Sequence, residues 1–292
     1  MSDEEAPKID PVTGIATTGH DWDGVTELNH PLPRWWLWIF YGTIVFALGY
    51  WILYPSWPLI SGAVGGVFGW HSRAAVVEEV GALRATRAPM VAQLAGVPID
   101  KVSSDAALFD FTLAYGRAAF GDNCAPCHGP GGGGARGYPN LVDDDWLWGG
   151  TLDAIETTIT HGVRNENADS RPGSMPAFGR DGTLTAPEIA TVAQYVRSLA
   201  GFPVPSGTDL AAGKALFVQH CVLCHGPDGR GKRDVGSANL TDAVWLYGSD
   251  FNTLVATITN GRGGSMPDWS ARLDPTTIKA LAVYVHSLGG GE

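Results

Sequence analysis

The longest apolar stretch of the chain lies near its N-terminus. Residues Trp35–Tyr54 form a run of twenty residues without a charged side chain, which is long enough to span the hydrocarbon core of a bilayer. Tryptophan and tyrosine side chains mark both ends, as in the aromatic belts of membrane helices. Pro55 and Pro58 follow and end the helix. The pattern predicts one transmembrane helix over residues 35–57, and the shorter apolar stretch Leu59–Trp70 predicts an interfacial segment rather than a second span.

Apolar side chains recur at helical spacing in short stretches of the remaining chain. Phe111–Phe120 is one such stretch, and Pro187–Leu199 is another, with its proline near the first turn. Both are followed by polar or Gly-rich segments. The pattern predicts a mainly α fold made of short helices joined by loops.

All four cysteines belong to two copies of Cys-X-X-Cys-His, Cys124–His128 and Cys221–His225. This spacing is typical of c-type haem attachment, in which both thiols add to the haem vinyl groups and the histidine binds the iron. Zinc sites and thioredoxin-like redox sites share the Cys-X-X-Cys element. Here each copy carries the histidine, and no spare cysteine is left for a zinc knuckle or a resolving thiol. We expect two covalently bound haem c groups, held by Cys124, Cys127, His128, Cys221, Cys224 and His225.

The similarity between the two halves extends well beyond the haem motifs. Gly116–Phe120 (GRAAF) matches Gly213–Phe217 (GKALF), and Tyr195–Leu199 (YVRSL) matches Tyr284–Leu288 (YVHSL). In small cytochromes c, the positions of Gly116, Phe120 and Tyr195 are those where the first and last helices cross.

The repeat predicts an N-terminal transmembrane helix followed by two tandem class I cytochrome c-type domains. We expect a cytoplasmic segment 1–34, the anchor 35–57 and an interfacial or periplasmic linker 58–110. The cytochrome c domains would then span residues 111–202 and 203–292. Because each domain is small, the haem must supply much of its apolar interior.

Two methionines are candidates for the second axial ligands. Met175 and Met266 stand in identical Ser-Met-Pro tripeptides, each downstream of a haem motif, and methionine is the usual ligand that raises the potential of a cytochrome c. A core does not usually repeat one tripeptide after both motifs, so packing is the weaker interpretation. We predict that His128, Met175, His225 and Met266 bind iron. The sequence leaves open whether each methionine serves its own repeat's haem or the other one.

Histidine is the competing axial ligand. His161 has Asn260 at the equivalent place of the second repeat, and His220 and His286 have no counterpart in the first. We expect surface or helix-end positions for these histidines, and a bis-histidine haem is the less favoured interpretation.

The charge of the chain limits the kinds of partner that it can bind. The net charge of −11 disfavours nucleic acid. The acidic triplet Asp143–Asp145 would either steer a basic cytochrome or form a plain solvated loop.

Residues 1–30 contain no apolar stretch, so we expect an uncleaved anchor rather than a signal peptide. Because c-type haem attachment is periplasmic in bacteria, we expect a single-pass inner-membrane protein with a cytoplasmic N-terminus and periplasmic haem domains.

Segments around the anchor carry the most specific resemblance to a known family. His20–Val25 (HDWDGV), Pro31–Trp36 (PLPRWW) and Gly69–Arg73 (GWHSR) resemble subunit III of cbb3-type cytochrome c oxidases, the membrane-anchored dihaem cytochrome subunit. The resemblance covers nearly the whole chain and implies electron transfer within a proton-pumping terminal oxidase. A cytochrome c or a bc1-type complex would be the donor. The monohaem cytochrome c subunit and the haem–copper catalytic subunit would be the partners, with no catalytic residue and no copper in this chain.

Two other functions stay open at this point. A dihaem peroxidase needs one iron with an open or displaceable ligand, whereas each repeat here offers a methionine. A dihaem electron-transfer subunit of another membrane or periplasmic dehydrogenase is the rival within electron transfer. The segments around the anchor argue against both.

The two complete attachment motifs predict two covalently bound haems per chain. An alkaline pyridine spectrum, together with the intact mass of the purified protein, measures this number. A value of one haem, or haem that acid acetone extracts, would contradict the prediction.

Overall fold

The computed structural model describes residues 8–292, so residues 1–7 of the predicted segment 1–34 lie outside the described residues. The chain divides into two compact units, Met1–Thr86 and Arg87–Glu292.

The first unit contains a two-stranded antiparallel hairpin that no sequence pattern predicted. Its strands are β1 (Thr17–Trp22) and β2 (Val25–Leu28). The turn between them uses Asp23 and Gly24, both with positive φ, and the Asp21 carboxylate accepts a hydrogen bond from the Gly24 N–H. Aspartate and glycine tolerate this conformation best, which explains why the hairpin closes here.

Helix α1 (Arg34–Leu53) follows directly after Pro33 and ends just before Pro55. It begins one residue before the predicted anchor 35–57 and ends four residues before the predicted end, and none of its residues is buried. Among the described residues, it is the one helix whose length and composition would allow it to cross a membrane. A two-residue hairpin then pairs β3 (Pro58–Leu59) with β4 (Gly62–Ala63) in the predicted interfacial segment.

A long helix, α2 (Ser72–Gly96), lies inside the predicted linker 58–110. The sequence pattern does not predict this helix, because its apolar residues form no clear stripe and Pro89 stands within it. At its end, Lys279 Nζ donates hydrogen bonds to the carbonyls of Leu94, Ala95 and Val97 at 3.1, 3.3 and 2.8 Å. This lysine supplies the donors that the last carbonyls of a helix lack.

The second unit is helical. A 3₁₀ helix (Ile99–Ser104) precedes its α-helices, which are α3 (Ala106–Asn123), α4 (Ala125–His128), α5 (Leu152–His161), α6 (Ala186–Leu199), α7 (Leu210–His220), α8 (Val222–His225), α9 (Phe251–Asn260) and α10 (Pro275–His286). Side-chain oxygens of Asp105, Thr151, Asp209, Asp250 and Asp274 cap the first turns of five of them. Thr185 and Glu188 form a capping box at the start of α6.

These helices build two separate hydrophobic cores. The first core contains Leu108, Phe120, Ile155, Ile159, Ile278 and Leu281, which come from α3, α5 and α10. The second contains Ile189, Val192, Phe217, Leu254 and Ile258, which come from α6, α7 and α9. The last helix of each repeat therefore packs with the first helix of the other repeat.

Two glycines show this exchange at the closest helix crossings. A Cβ added to Gly116 of α3 would lie 2.7 Å from the Tyr284 Cβ of α10, and a Cβ added to Gly213 of α7 would lie 2.7 Å from the Tyr195 Cβ of α6. Neither position has room for a larger residue. The tyrosine rings pack on phenylalanines one turn after these glycines, with centroids 5.4 Å apart for Phe120 and Tyr284 and 5.5 Å apart for Tyr195 and Phe217.

The crossing expected from small cytochromes c thus exists, but its partners are exchanged. Gly116 and Phe120 meet Tyr284 rather than Tyr195. Tyr284 and Tyr195 stand at matching places of the repeat, so either fits the same glycine. The boundaries 111–202 and 203–292 stay a prediction for the sequence repeats, and each core draws on both.

The packing of each last helix on the other repeat predicts which core a mutation will destabilise. Tyr284→Ala should weaken the first core by about 2 kcal/mol or more, on the scale of aromatic-to-alanine changes. Hydrogen exchange measured by mass spectrometry should then speed up in Ala106–Asn123 and stay unchanged in Leu210–His220. Tyr195→Ala is the matched control and should give the mirror-image result. Faster hydrogen exchange in Leu210–His220 of the Tyr284 variant would contradict the packing of each last helix on the other repeat.

Candidate haem sites

Each Cys-X-X-Cys-His motif begins at the C-terminal end of a helix. Cys124 follows α3 and donates its N–H to the Phe120 carbonyl at 2.8 Å, and Cys221 follows α7 and donates to the Phe217 carbonyl at 2.8 Å. The rest of each motif forms a single turn, α4 or α8. The buried phenylalanine on the preceding turn therefore fixes the first cysteine of each motif against its core.

Both motif histidines are oriented by a backbone carbonyl. His128 Nδ1 lies 2.9 Å from the Pro139 carbonyl oxygen, and His225 Nδ1 lies 2.9 Å from that of Ala238. A carbonyl can only accept, so Nδ1 carries the proton in both rings and Nε2 is left with its lone pair. Burial also lowers the pKa of His225, which keeps that imidazole neutral. Nε2 of both rings is thus left available to bind a metal.

The first cysteine of each motif is unsuited to redox catalysis. Burial first, and the second cysteine of each motif next, together raise the pKa of Cys124 and of Cys221 to about 11. Thioredoxin-like cysteines have lowered pKa values, because the thiolate is the nucleophile. These thiols are instead neutral and face apolar surroundings, which fits covalent attachment of an apolar macrocycle.

Each candidate methionine packs against the core that holds the haem motif of the other repeat. Met266 packs against the first core together with Cys124, whereas Met175 packs against the second core together with Cys221. The backbone fixes both positions. Met266 exchanges two hydrogen bonds of 2.9 Å with Val163, and Met175 exchanges bonds of 2.8 and 3.2 Å with Arg262. Each methionine is therefore held by the loop that follows α5 or α9 of the other repeat.

A cavity of about 1110 Å³ opens beside the second motif and has a mainly apolar lining. The lining includes Met175, Cys221, Cys224 and His225. A flat macrocycle needs such a space, with thiols at one edge and iron ligands on opposite faces. The residues around this cavity fit a c-type haem.

The three histidines that compete with methionine as candidate ligands lie in different surroundings. His220 lines the cavity, and its ring packs edge-on against Phe178 with centroids 6.2 Å apart. His161 Nδ1 lies 4.0 Å from Asp169 Oδ2, and His286 Nε2 lies 3.0 Å from the Glu292 carbonyl. The preference for methionine over these histidines stays a prediction.

Sequence reasoning missed two arginine–aromatic pairs near the haem motifs. The guanidinium of Arg171 lies 5.6 Å from the ring centroid of Trp148, and that of Arg262 lies 4.2 Å from the ring of Tyr247. Trp148 and Tyr247 match in the repeat, and that match was the available signal. Trp148 packs on Gly236 and Tyr247 lies near Gly137, each in the loop after the opposite haem motif.

The acidic triplet is not fully solvated. Asp145 is half-buried, and its pKa is raised to about 6 by burial first and by the nearby Asp242 and Asp143 carboxylates next. Burial likewise raises the pKa of Asp143. Both residues line the cavity beside the second motif. At neutral pH this loop still carries negative charge, part of it close to that cavity.

Comparison with known proteins gives a consistent result along the chain. The family model for the N-terminal domain of cytochrome oxidase-cbb3, FixP, matches residues 14–61. The model for cytochrome c oxidase, cbb3-type, subunit III matches twice, over residues 112–196 and 208–285. The double match confirms tandem cytochrome c domains within a mainly helical fold.

Relatives that match over nearly their whole length are also subunits of cbb3-type cytochrome c oxidases. The chain is 55% identical to the cbb3-type cytochrome c oxidase subunit FixP of Azorhizobium caulinodans over 285 residues, 97% of this chain and 96% of that protein. It is 56% identical to FixP of Bradyrhizobium diazoefficiens, with 98% of each chain covered. The cbb3-type oxidase subunit CcoP of Cereibacter sphaeroides is 49% identical, with 94% of this chain and 95% of that protein covered.

The raised pKa of Asp145 predicts a pH-dependent effect on stability. A carboxyl whose pKa is higher in the folded chain favours folding at low pH, and this stabilisation is lost as the pH rises from about 4 to about 6. Asp145→Asn should therefore raise the free energy of unfolding above pH 6 by roughly 1 kcal/mol, allowing for partial exposure. Near pH 4 the variant and the wild type should unfold at similar temperatures.

Calorimetry at both pH values measures this difference. Asp144→Asn, at an exposed position of the same triplet, is the control and should change little. A destabilised Asp145→Asn variant at pH 7 would contradict the prediction.

Proposed function

The chain belongs to the family of cbb3-type cytochrome c oxidase subunit III, and on that premise we propose that it passes electrons through two haem c groups toward the oxygen-reducing subunit. It is an electron-transfer component of the oxidase, not its catalytic unit. Family membership over nearly the full length argues against the peroxidase and dehydrogenase-subunit alternatives. The observation that carries the proposal is that the first cysteine of each haem motif packs against the same core as a methionine whose backbone is hydrogen-bonded in place.

The residues of each site divide the work of holding a haem. Cys124 and Cys127 would attach one group, and Cys221 and Cys224 the other. Haem c, when bound, supplies one-electron chemistry at its iron. The carbonyls of Pro139 and Ala238 orient the two ligating histidines and make them better electron donors to a metal.

The methionine ligands are proposed to be crossed between the repeats. Met266 would face His128, and Met175 would face His225. The support is that each methionine shares a core with the motif of the other repeat and is hydrogen-bonded there through its backbone. Thioether ligation raises the reduction potential, which suits a carrier that accepts electrons from a cytochrome c.

Partners and orientation complete the proposal. As a member of the cbb3 oxidase complex, the chain would contact the haem–copper subunit and the monohaem cytochrome c subunit. A periplasmic or membrane-bound cytochrome c, or a bc1-type complex, would be the electron donor. Helix α1 would cross the inner membrane with residues 1–34 in the cytoplasm and both haem motifs in the periplasm, where haem c attachment takes place.

Crossed ligation predicts which methionine governs which haem. A variant with Cys221→Ser and Cys224→Ser should keep one haem, at the first motif. In that chain, Met266→His should lower the potential and remove the near-infrared methionine–iron band, whereas Met175→His should leave the band in place. The mirror background with Cys124→Ser and Cys127→Ser should respond to Met175→His instead. If Met175→His removes the band when only the first motif holds haem, and Met266→His removes it when only the second does, each methionine binds the haem of its own repeat.

Assembly tests the proposed function itself. Membranes that contain the tagged chain should yield, after mild detergent extraction, a complex with the haem–copper and monohaem subunits that oxidises reduced cytochrome c with oxygen. Exchanging Trp35–Tyr54 for an unrelated span of equal length should leave haem attachment intact and reduce copurification, because transmembrane helices associate through specific packing. Copurification with a dehydrogenase instead of the haem–copper subunit would refute the proposed function.

A further inference from the structure

The two Ser-Met-Pro loops lie against each other through the segment that contains Arg164. Val163, just before it, exchanges backbone hydrogen bonds with Met266. Arg164 itself has a φ of 50°, a left-handed conformation that is uncommon for a residue other than glycine, asparagine or aspartate. Such a conformation persists only where surrounding contacts hold it, which directs attention to what the Arg164 side chain binds.

The Arg164 guanidinium binds both methionine loops at once. Its Nε donates to the Gly264 carbonyl at 2.5 Å, and its Nη1 donates to the Gly173 carbonyl at 2.7 Å. Gly173 and Gly264 match in the repeat, since each directly precedes a Ser-Met-Pro tripeptide. The Ser265 hydroxyl also donates to the Arg164 carbonyl at 3.0 Å. A planar guanidinium suits this task, because its donors are fixed in a fork.

Only the first repeat has an arginine at this position. The equivalent residue of the second repeat is Gly263, where an added Cβ would lie 3.3 Å from the Ser174 Cβ. The guanidinium groups of the neighbouring arginines bind elsewhere. Arg171 donates to Thr158 and Ala154 of α5, and Arg262 donates to Thr257 of α9.

We propose that Arg164 is a positioning residue shared by both haem sites, which fixes the two axial methionines through the carbonyls of Gly173 and Gly264. This inference rests on the proposed methionine ligation. One side chain then sets the strength of both iron–sulfur bonds, because each loop is hydrogen-bonded to the same cation. Loss of the guanidinium frees both loops, and either methionine then leaves its iron more easily.

The experiment reads each methionine separately in the full-length, haem-loaded protein. In a Met266→His background the remaining near-infrared band reports Met175, and in a Met175→His background it reports Met266. Arg164→Gln should weaken the band in both backgrounds. Added imidazole should displace the methionine from the ferric iron roughly tenfold more readily in both, the scale expected for lost hydrogen bonds from a charged donor.

Asn165 offers a matched one-sided control. Its Nδ2 donates to the carbonyls of Met266 and His161 at 2.8 and 2.9 Å, so it touches one methionine only. Asn165→Ala should weaken the band that reports Met266 and leave the one that reports Met175 unchanged. Arg164→Lys keeps the charge but has a single nitrogen, so it should give an intermediate loss at both sites, and it serves as the second variant if Arg164→Gln fails to accumulate with haem.

The outcomes separate this inference from the ligand assignment. If the wild type has no methionine–iron band, the ligand assignment itself is wrong. If the wild type has both bands and the Arg164 variants change one or neither, the ligands stand and the shared role of Arg164 is refuted.

Discussion

The reciprocal hydrogen bonding of the two Ser-Met-Pro loops is the constraint on which the haem-binding unit depends. Met266 is paired with Val163 after α5, and Met175 is paired with Arg262 after α9. Each loop thus takes its position from the other repeat. Backbone hydrogen bonds of this kind tolerate many side chains but no change of register, so neither methionine is placed until both repeats have folded.

Exchange of the last helices follows the same logic. Residues 200–209 join α6 to α7 directly, and a short connection favours packing of neighbouring helices. Helix α10 is then left to close on α3, which lies about 160 residues earlier in the chain. Such a distant contact is slow to form, but it ties the end of the unit to its start. Each core therefore needs helices from both repeats, although each haem motif is local.

The sequence predicted the local features well. The anchor, the helix that begins near Pro187 and the haem motifs each depend on spacing within a few residues, and the structure has these elements where they were expected. The exchange depends instead on a choice between matching partners. Tyr195 and Tyr284 are equally suited to Gly116, so no pattern in one repeat distinguishes them. No sequence pattern distinguishes Arg164, because its proposed role depends on two carbonyls that come together only in the fold.

Crossed assembly gives the oxidase subunit a specific physical property. Two haems held by such intertwined halves would keep a fixed relation to each other, which independent domains on a linker would not have. The most direct test is an experimental density map of the haem-loaded oxidase at a resolution that shows axial ligands. The account predicts the Met266 sulfur on the iron that His128 binds and the Met175 sulfur on the iron that His225 binds. A map with Met175 opposite His128 would contradict it.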